Sequence, residues 1–419
     1  MFPSVWISLG KNWPVETLSK LPLLFPNATF FRFIGIKRQF FFQRDFDSLL
    51  GENVVKLNLF NMNVPDDTEL VLKSKSIKSL NLFEIHGLKK LRLECENLEK
   101  LGTQSIGLSP EQECFPTETV NETILEYLIE NPQYSSKLSS INLCSFWSEM
   151  YEDTRVPKRI KISEFDFPQL KVLDLLRVFS LVELDIVHHN LREISLSYVS
   201  SLKKVSIKSN SLRALHVSCC IKLKSLTLEK CDKLEAVHVD DRVILEKMLI
   251  ESKSLQRIML AHSCMDKYLI ETLKTCPSIQ SLEIGDSDLE ICSSLPTNKL
   301  IHALPQLSPN LTFLNISPSI VTVSKEALAH LQKCFQENQK QLEIHSKYVI
   351  EEKIEEGKEI SKSFANKALG RWKNQNLFKF FNSWRTYRNL VATKAFLHGL
   401  TNIEERLEMI DLSLYKHAN

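Results

Sequence analysis

Between Leu170 and Val239 the chain repeats one short pattern seven times. The copies are Leu170-x-x-Leu173-x-Leu175, Leu181-x-x-Leu184-x-Ile186, Leu191-x-x-Ile194-x-Leu196, Leu202-x-x-Val205-x-Ile207, Leu212-x-x-Leu215-x-Val217, Leu223-x-x-Leu226-x-Leu228 and Leu234-x-x-Val237-x-Val239. They start 11, 10, 11, 10, 11 and 11 residues apart. Self-similarity at a fixed period implies units that cannot bury their apolar face alone and must stack on one another. A step of ten or eleven is too short for one turn of such a stack. Alternate copies, however, are 21 or 22 apart, inside the ~20–29 residues that one coil uses. Each coil is therefore expected to carry two short strands, one on either side of a flattened solenoid. Within a copy, the fourth and sixth positions are aliphatic and their neighbours polar, the alternation of a half-buried strand.

Composition narrows the class further. With 43% hydrophobic and 25% charged residues over 419 positions, the chain has enough apolar surface for an extended core. Its 53 basic and 51 acidic residues leave a net +2, which gives no whole-molecule attraction to nucleic acid or an anionic membrane. Ten glycines argue against folds built on glycine-rich phosphate loops. The ten cysteines mostly sit inside repeat segments, as reduced, buried thiols do in a cytoplasmic or nuclear protein. Residues 1–13 lack the basic-then-apolar order of a signal peptide, and no apolar run reaches the ~18 residues of a spanning helix.

Three regions follow. Residues 1–50 are rich in aromatics, among them Trp6, Trp13, Phe30, Phe31, Phe33, Phe41 and Phe46, and are expected to cap the first coil's open core. Residues 51–320 form the solenoid. Irregular repeats occur at 54–59, 77–82, 88–93 and 98–101, and an insertion at 103–137 carries a helical stretch near 123–130. After Val239 the pattern predicts a helix over 242–251 before Leu255-x-x-Ile258-x-Leu260, and another over 265–275 before Ile279-x-x-Leu282-x-Ile284. A longer insert precedes Leu311-x-x-Leu314-x-Ile316. The later steps of 24 and 32 residues leave room for a helix behind each strand. From Ser324 helical periodicity takes over, with Ser324 as the cap of a helix over 325–336 and further helices over 351–368, 376–397 and 401–414. Residues 321–419 are thus expected to be a helical C-terminal domain. The fold class is α/β: a solenoid with two strands per coil, then helix-backed coils, then helices.

The repeats resemble the leucine-rich repeats of F-box proteins. Leu212-x-x-Leu215-x-Val217-x-x-Cys220 and Leu223-x-x-Leu226-x-Leu228-x-x-Cys231 match the cysteine form, and Leu202-x-x-Val205-x-Ile207-x-x-Asn210 the asparagine form. The run from Ile270 through Cys276-Pro277 to Ile284 resembles their helix-then-strand coil. The resemblance covers roughly residues 51–320. It implies a leucine-rich-repeat solenoid and, by analogy, a substrate receptor of a ubiquitin ligase. The family's adaptor-binding F-box precedes the repeats; residues 1–50 offer only Leu21-Pro22-Leu23-Leu24-Phe25, so no F-box is assigned.

Alternation places Asp174, Ser195, His216 and His238 in one outward row on successive coils, flanked by Glu193, Ser197, Ser218 and Asp240. His216 and His238 should stand ~5 Å apart up the ladder. Two imidazoles without a third ligand suit partner contact better than metal binding. The opposite face carries Asp185, Ser206 and Thr227 beside Lys204 and Lys208. Cys219, Cys220 and Cys231 lack a C-x-x-C spacing, so Cys220 and Cys231 read as buried structural thiols. A second candidate contact lies at 358–394, where nine basic residues face Glu359 alone. Trp372, Leu377, Phe381, Trp384, Arg385 and Arg388 are interleaved there, and Leu377-x-x-x-Phe381-x-x-Trp384-Arg385 resembles a single centrin-binding repeat. Basic helices with bulky anchors over 376–397 suit a calmodulin-like groove or an anionic membrane surface, although packing among the helices uses the same residues.

Phosphate-loop, dinucleotide, zinc-protease and nucleophile-elbow motifs are absent. The expected function is a non-enzymatic scaffold that binds another protein through one solenoid face, with no cofactor. A ligase substrate receptor and a calcium-sensor or membrane ligand are the alternatives.

Overall fold

In the computed structural model the alternating aliphatic positions become strands of two parallel sheets. The structure describes residues 4–8, 28–34, 41–49, 52–104, 120–144, 158–240, 243, 245–260, 266–284, 298–316, 323–338 and 340–346. All belong to the unit Met1–Tyr348; a second unit, Val349–Asn419, lies outside the described residues. The three helices expected at 351–368, 376–397 and 401–414 lie there too.

The long sheet starts with β1 (Ser4–Ser8), β2 (Phe30–Ile34), β3 (Lys56–Ser74), β4 (Ser79–Cys95), β5 (Lys100–Gln104) and β6 (Ser140–Cys144), each parallel to the next. Helix α1 (Gln43–Leu49) falls between β2 and β3; α2 (Val120–Glu130) and α3 (Pro132–Ser135) fall between β5 and β6. A second sheet begins at β7 (Lys158–Ser163), and the chain then alternates between walls. Strands β8 (Val172–Leu176), β10 (Glu193–Ser197), β12 (Ala214–Ser218) and β14 (Ala236–Asp240) extend the long sheet. Strands β9 (Leu181–Val187), β11 (Lys204–Lys208), β13 (Ser225–Glu229) and β15 (Lys247–Ile250) build the second. The two-strand coil expected from the spacing is therefore present. Leu173, Leu175, Leu184, Ile186, Ile194 and Leu196, drawn from both walls, are no more than 2% exposed. Each such side chain contributes ~1.5–3 kcal/mol on burial.

Beyond β15 the long sheet continues through β16 (Arg257–Leu260), β17 (Ser281–Ile284), β18 (Phe313–Ile316) and β19 (Glu343–His345), with α4 (Asp266–Thr275), α5 (Asn298–Leu307) and α6 (Lys325–Glu337) between them. These are the helix-backed coils, and the Ser324 hydroxyl caps α6 by accepting from the Ala327 N–H. Among the described residues fourteen strands make the long sheet and five the second.

Three expectations need correction or extension. The helix read over 242–251 is overturned: Lys247–Ile250 is strand β15, paired with β13. Leu245-x-x-Met248-x-Ile250 is an eighth copy of the pattern, with Met248 and Ile250 buried, and this in-register burial outweighs the helix-favouring Glu246 and Lys247. The aromatic start supplies strands, since Phe31 and Phe33 of β2 occupy the buried positions that leucine fills elsewhere. The sheet also runs past residue 320, because Leu342 and Ile344 add a shortened strand to it.

Buried polar residues close the turns leading back to the long sheet. The Ser209 hydroxyl donates to the Leu191 carbonyl at 3.2 Å, Ser252 to Leu234 at 3.1 Å, and the Cys95, Cys231 and Cys276 thiols to nearby carbonyls at 3.4 Å. His188 occupies the same place one coil before Ser209. Its Nε2 lies 2.7 Å from the Phe167 carbonyl, and its Nδ1 accepts the Asn190 and Leu191 N–H groups at 3.2 and 3.1 Å. That set of partners requires a neutral ring protonated on Nε2, and burial holds its pKa below the usual histidine value. At the opposite turns Arg177, Tyr198 and Cys219 adopt φ of 59°, 56° and 54° directly after β8, β10 and β12. Strand β4 has left-handed positions at Glu84 and Gly87, and at Gly87 a Cβ would meet the Val64 carbonyl oxygen at 2.1 Å. Only glycine fits there.

Candidate functional site

The outward row of the long sheet is continuous in register. It runs Arg32, Asn58, Asn81, Gly102, Asn142, Asp174, Ser195, His216, His238, Met259, Glu283, Asn315 and His345, each the partner of the next. Strands hold these side chains at ~4.8 Å intervals, so the spacing is set by backbone hydrogen bonds and not by loop conformation.

Within the row, neighbours bond along the stack. Asn81 donates its amide to Asn58 at 2.8 Å, and its Oδ1 lies where a Cβ at Gly102 would approach to 2.5 Å. Asn142 donates to the Asp174 carboxylate at 2.9 Å, and Ser195 is the register partner of Asp174 on the next strand. Burial raises the Asp174 pKa, while the neighbouring Ser195 hydroxyl acts in the opposite direction. His216 and His238 meet edge to face, ring centroids 4.7 Å apart at 74°, with their Nδ1 atoms 3.2 Å apart. That distance suits an N–H of one imidazole facing the lone pair of the other, between two half-buried rings.

All six residues expected on this face lie on four successive strands, and Asp174, Ser195, His216 and His238 form one row. Glu193 lies a step to one side, in register with Val172 and Ala214, and is exposed. Asp240 is the register partner of Ser218. On the second sheet Asp185, Ser206 and Thr227 also stand in line, flanked by Lys204 and Lys208. The candidate residues Trp372, Leu377, Phe381, Trp384, Arg385 and Arg388 lie outside the described residues. Cys220 and Cys231 are fully buried, and burial pushes the Cys231 thiol up to about 11, the inert state of a packing residue.

Pattern reading missed the residues at the ends of the strands. The Arg177 guanidinium lies 5.5 Å from the centre of the Tyr198 ring, and Tyr198 and Ile221 are each 48% exposed. Toward the start of the sheet, Phe60 and Phe83 stack at 4.6 Å with Arg32 over Phe60 at 4.3 Å. Only a positive-φ turn repeating every 21 residues at Arg177, Tyr198 and Cys219 relates the first group, and that is invisible to a hydrophobicity pattern.

Among the described residues, no three or more His, Cys, Asp or Glu side chains gather as a metal site, and no helix is long and apolar enough to cross a membrane. No family model matches the chain, and no curated protein does. Among solved structures the chain is similar to one in the crystal structure of the TLR13–ssRNA13 complex, at 14% identity and a TM-score of 0.24, over 74% of this chain and 57% of that one. The chain thus spans less than two thirds of that structure's length. The strand register of the chain itself defines the architecture. It is a leucine-rich-repeat-like solenoid. In such a fold the open sheet presents rigidly spaced polar side chains, and that arrangement suits recognition.

Proposed function

We propose that this chain is a non-enzymatic interaction scaffold that binds a partner protein through the outer face of its long sheet, centred on β8, β10, β12 and β14. The observation that carries this reading is the register-locked row Asn142–Asp174–Ser195–His216–His238. Its polar groups are already ordered by one another, so a partner meets them at little further cost in side-chain entropy. Apolar flanks at Leu176, Tyr198 and Ile221 supply the area that a polar row lacks. The buried thiols fit a reducing compartment, and we place the protein in the cytoplasm or nucleus on that ground.

The test is capture from native cells with the full chain, followed by hydrogen exchange of the purified complex. Protection gained at Glu193–Ser197, Ala214–Ser218 and Ala236–Asp240 is the expected result. Protection confined to the second sheet, or to residues beyond 348, would overturn it. Recovery of a ubiquitin-ligase adaptor among the captured proteins would turn the reading toward a substrate receptor. Calcium-dependent recovery of a small sensor protein would point to the 376–397 segment.

A further inference from the structure

One row of backbone-linked residues runs just ahead of the long-sheet strands. Each N–H donates to the carbonyl of the residue one coil earlier: Lys78 to Val55, Glu99 to Lys78, Ser139 to Glu99, Lys171 to Ser139, Arg192 to Lys171, Arg213 to Arg192 and Glu235 to Arg213, at 2.8 or 2.9 Å. Where this row carries a lysine early on, the next coil supplies its counter-charge, as Lys78 pairs with Glu99 at 3.0 Å. In the corresponding row of the second sheet Lys224 follows Lys203 and is itself paired with Glu246 on the next rung. On the long sheet Lys171 and Arg192 break that pairing, each followed by another cation, and Arg213 makes no ion pair with Glu235 on the rung after it. Three cations stand on successive rungs, all exposed, and none makes an ion pair with another described residue. Like charges on neighbouring strands repel, so the fold itself gains nothing from this stack.

We propose that Lys171, Arg192 and Arg213 are the docking strip for an acidic segment of a partner protein, which then crosses the sheet toward Tyr198 and Ile221. This rests on the long-sheet face being the binding face and adds the partner's chemistry. The geometry sets a size. Rungs ~4.8 Å apart leave two gaps between three cations, which two carboxylates ~5–7 Å apart fill. Acidic residues at alternate positions of an extended chain, or three to four apart on a helix, have that spacing. Arginine's planar fork grips each carboxylate through two parallel hydrogen bonds.

The experiment measures binding of a fluorescein-labelled peptide of alternating glutamate and serine to the full chain, with circular dichroism confirming that each variant folds. Arg192→Glu with Arg213→Glu should weaken binding by about tenfold or more, and added salt should weaken the wild type. The same charge reversal at Lys203→Glu with Lys204→Glu, at the second sheet, should change it by less than about twofold. Equal losses from both reversals, no loss from the first, or no binding to the wild type would overturn the acidic partner. So would tighter binding of a single-stranded RNA with the same sensitivity to Arg192 and Arg213. Ser195→Trp separates the two readings. If it blocks the peptide while the arginine reversal does not, the face stands and the acidic partner falls. If the arginine reversal blocks and Ser195→Trp does not, the cations act alone and the face reading fails.

Discussion

The coils from Lys158 to Ile250 and those from Asp266 to His345 share an inner strand and differ in the outer wall. In the first group both walls are strands; in the second the outer wall is α4, α5 and α6, with α4 packed against β15 and the helices against one another. The inner strands scarcely register the change. Register passes from β14 through β16 to β17 without a shift, His238 to Met259 to Glu283. What changes is the length of the connection and the behaviour of the outer wall. Strand walls advance by ~4.8 Å per coil on both sides, whereas a helix with its side chains occupies ~10 Å. A strand wall is therefore tied to its neighbours by backbone hydrogen bonds, and a helix wall by side-chain packing alone. The first group offers two open ladders of outward residues and the second only one, and the candidate face lies on the first.

The sharpest way to break the comparison is a proline in each wall. Helix α5 already contains Pro305, so the helix wall accommodates one. Strand β11 is flanked on both sides, by β9 and β13. Ser206→Pro should remove a ladder hydrogen bond there and cost ~3 kcal/mol or more. Hydrogen exchange should show the loss spreading to β9 and β13, with β16 to β18 protected as before. Confinement of the loss to β11 would mean that the strand wall is no more cooperative than the helix wall.

Next in size is the buried turn at His188. His188→Ala strands the Phe167 carbonyl and two N–H groups besides opening a cavity, an expected loss of ~2–4 kcal/mol. Ser209→Ala, one coil on, should cost ~1 kcal/mol. The two also differ in pH dependence. Because the folded His188 pKa is depressed, its contribution is intact above the unfolded value of ~6.5 and is lost as pH falls from there through the lowered folded pKa. Wild type should therefore lose stability over that acid range, and His188→Ala should lose less. A smaller contrast concerns thiols. Cys231, behind a strand wall, and Cys276, behind a helix, are both fully buried with raised pKa, so both should resist alkylation in the native protein while the partly exposed Cys219 and Cys334 react. Fast labelling of Cys276 alone would show that the helix wall opens more readily.

Legibility in the sequence followed the same division. Leucine at a fixed step is a direct imprint of inner strands and of both walls where the coil is short, and so the row Asp174, Ser195, His216 and His238 follows from spacing alone. The pattern weakened where burial is satisfied by other residues. Met248 replaces the expected aliphatic in β15, Phe31 and Phe33 stand for leucine in β2, and β7 begins at Lys158 with no leucine ahead of it. Strand β19 has only Leu342 and Ile344 to show. His188 and the strip Lys171, Arg192 and Arg213 sit at positions the motif leaves free. Their importance depends on what lies one coil away, which a linear pattern does not display.

The smallest expected effect tests whether the row is built for the fold or for a partner. Asp174 is a carboxylate whose burial raises its pKa, so in the folded protein it is held at a disadvantage when charged. A raised folded pKa contributes stability that is present below the unfolded value of ~3.9 and lost as pH rises through the folded value. Asp174→Asn removes that disadvantage while keeping an oxygen to accept from Asn142 or Ser195. The variant should match the wild type near pH 4 and below, and exceed it by ~0.5–1 kcal/mol at pH 7, read from hydrogen exchange of β8 and β10. A variant less stable than wild type at pH 7 would mean that the charge organises Asn142 and Ser195 by more than its burial costs, and the row would then be structural. A variant more stable at pH 7 but weaker in partner binding would show a fold carrying an unfavourable charge at the centre of the face it presents, and the partner would have to be what makes that charge useful.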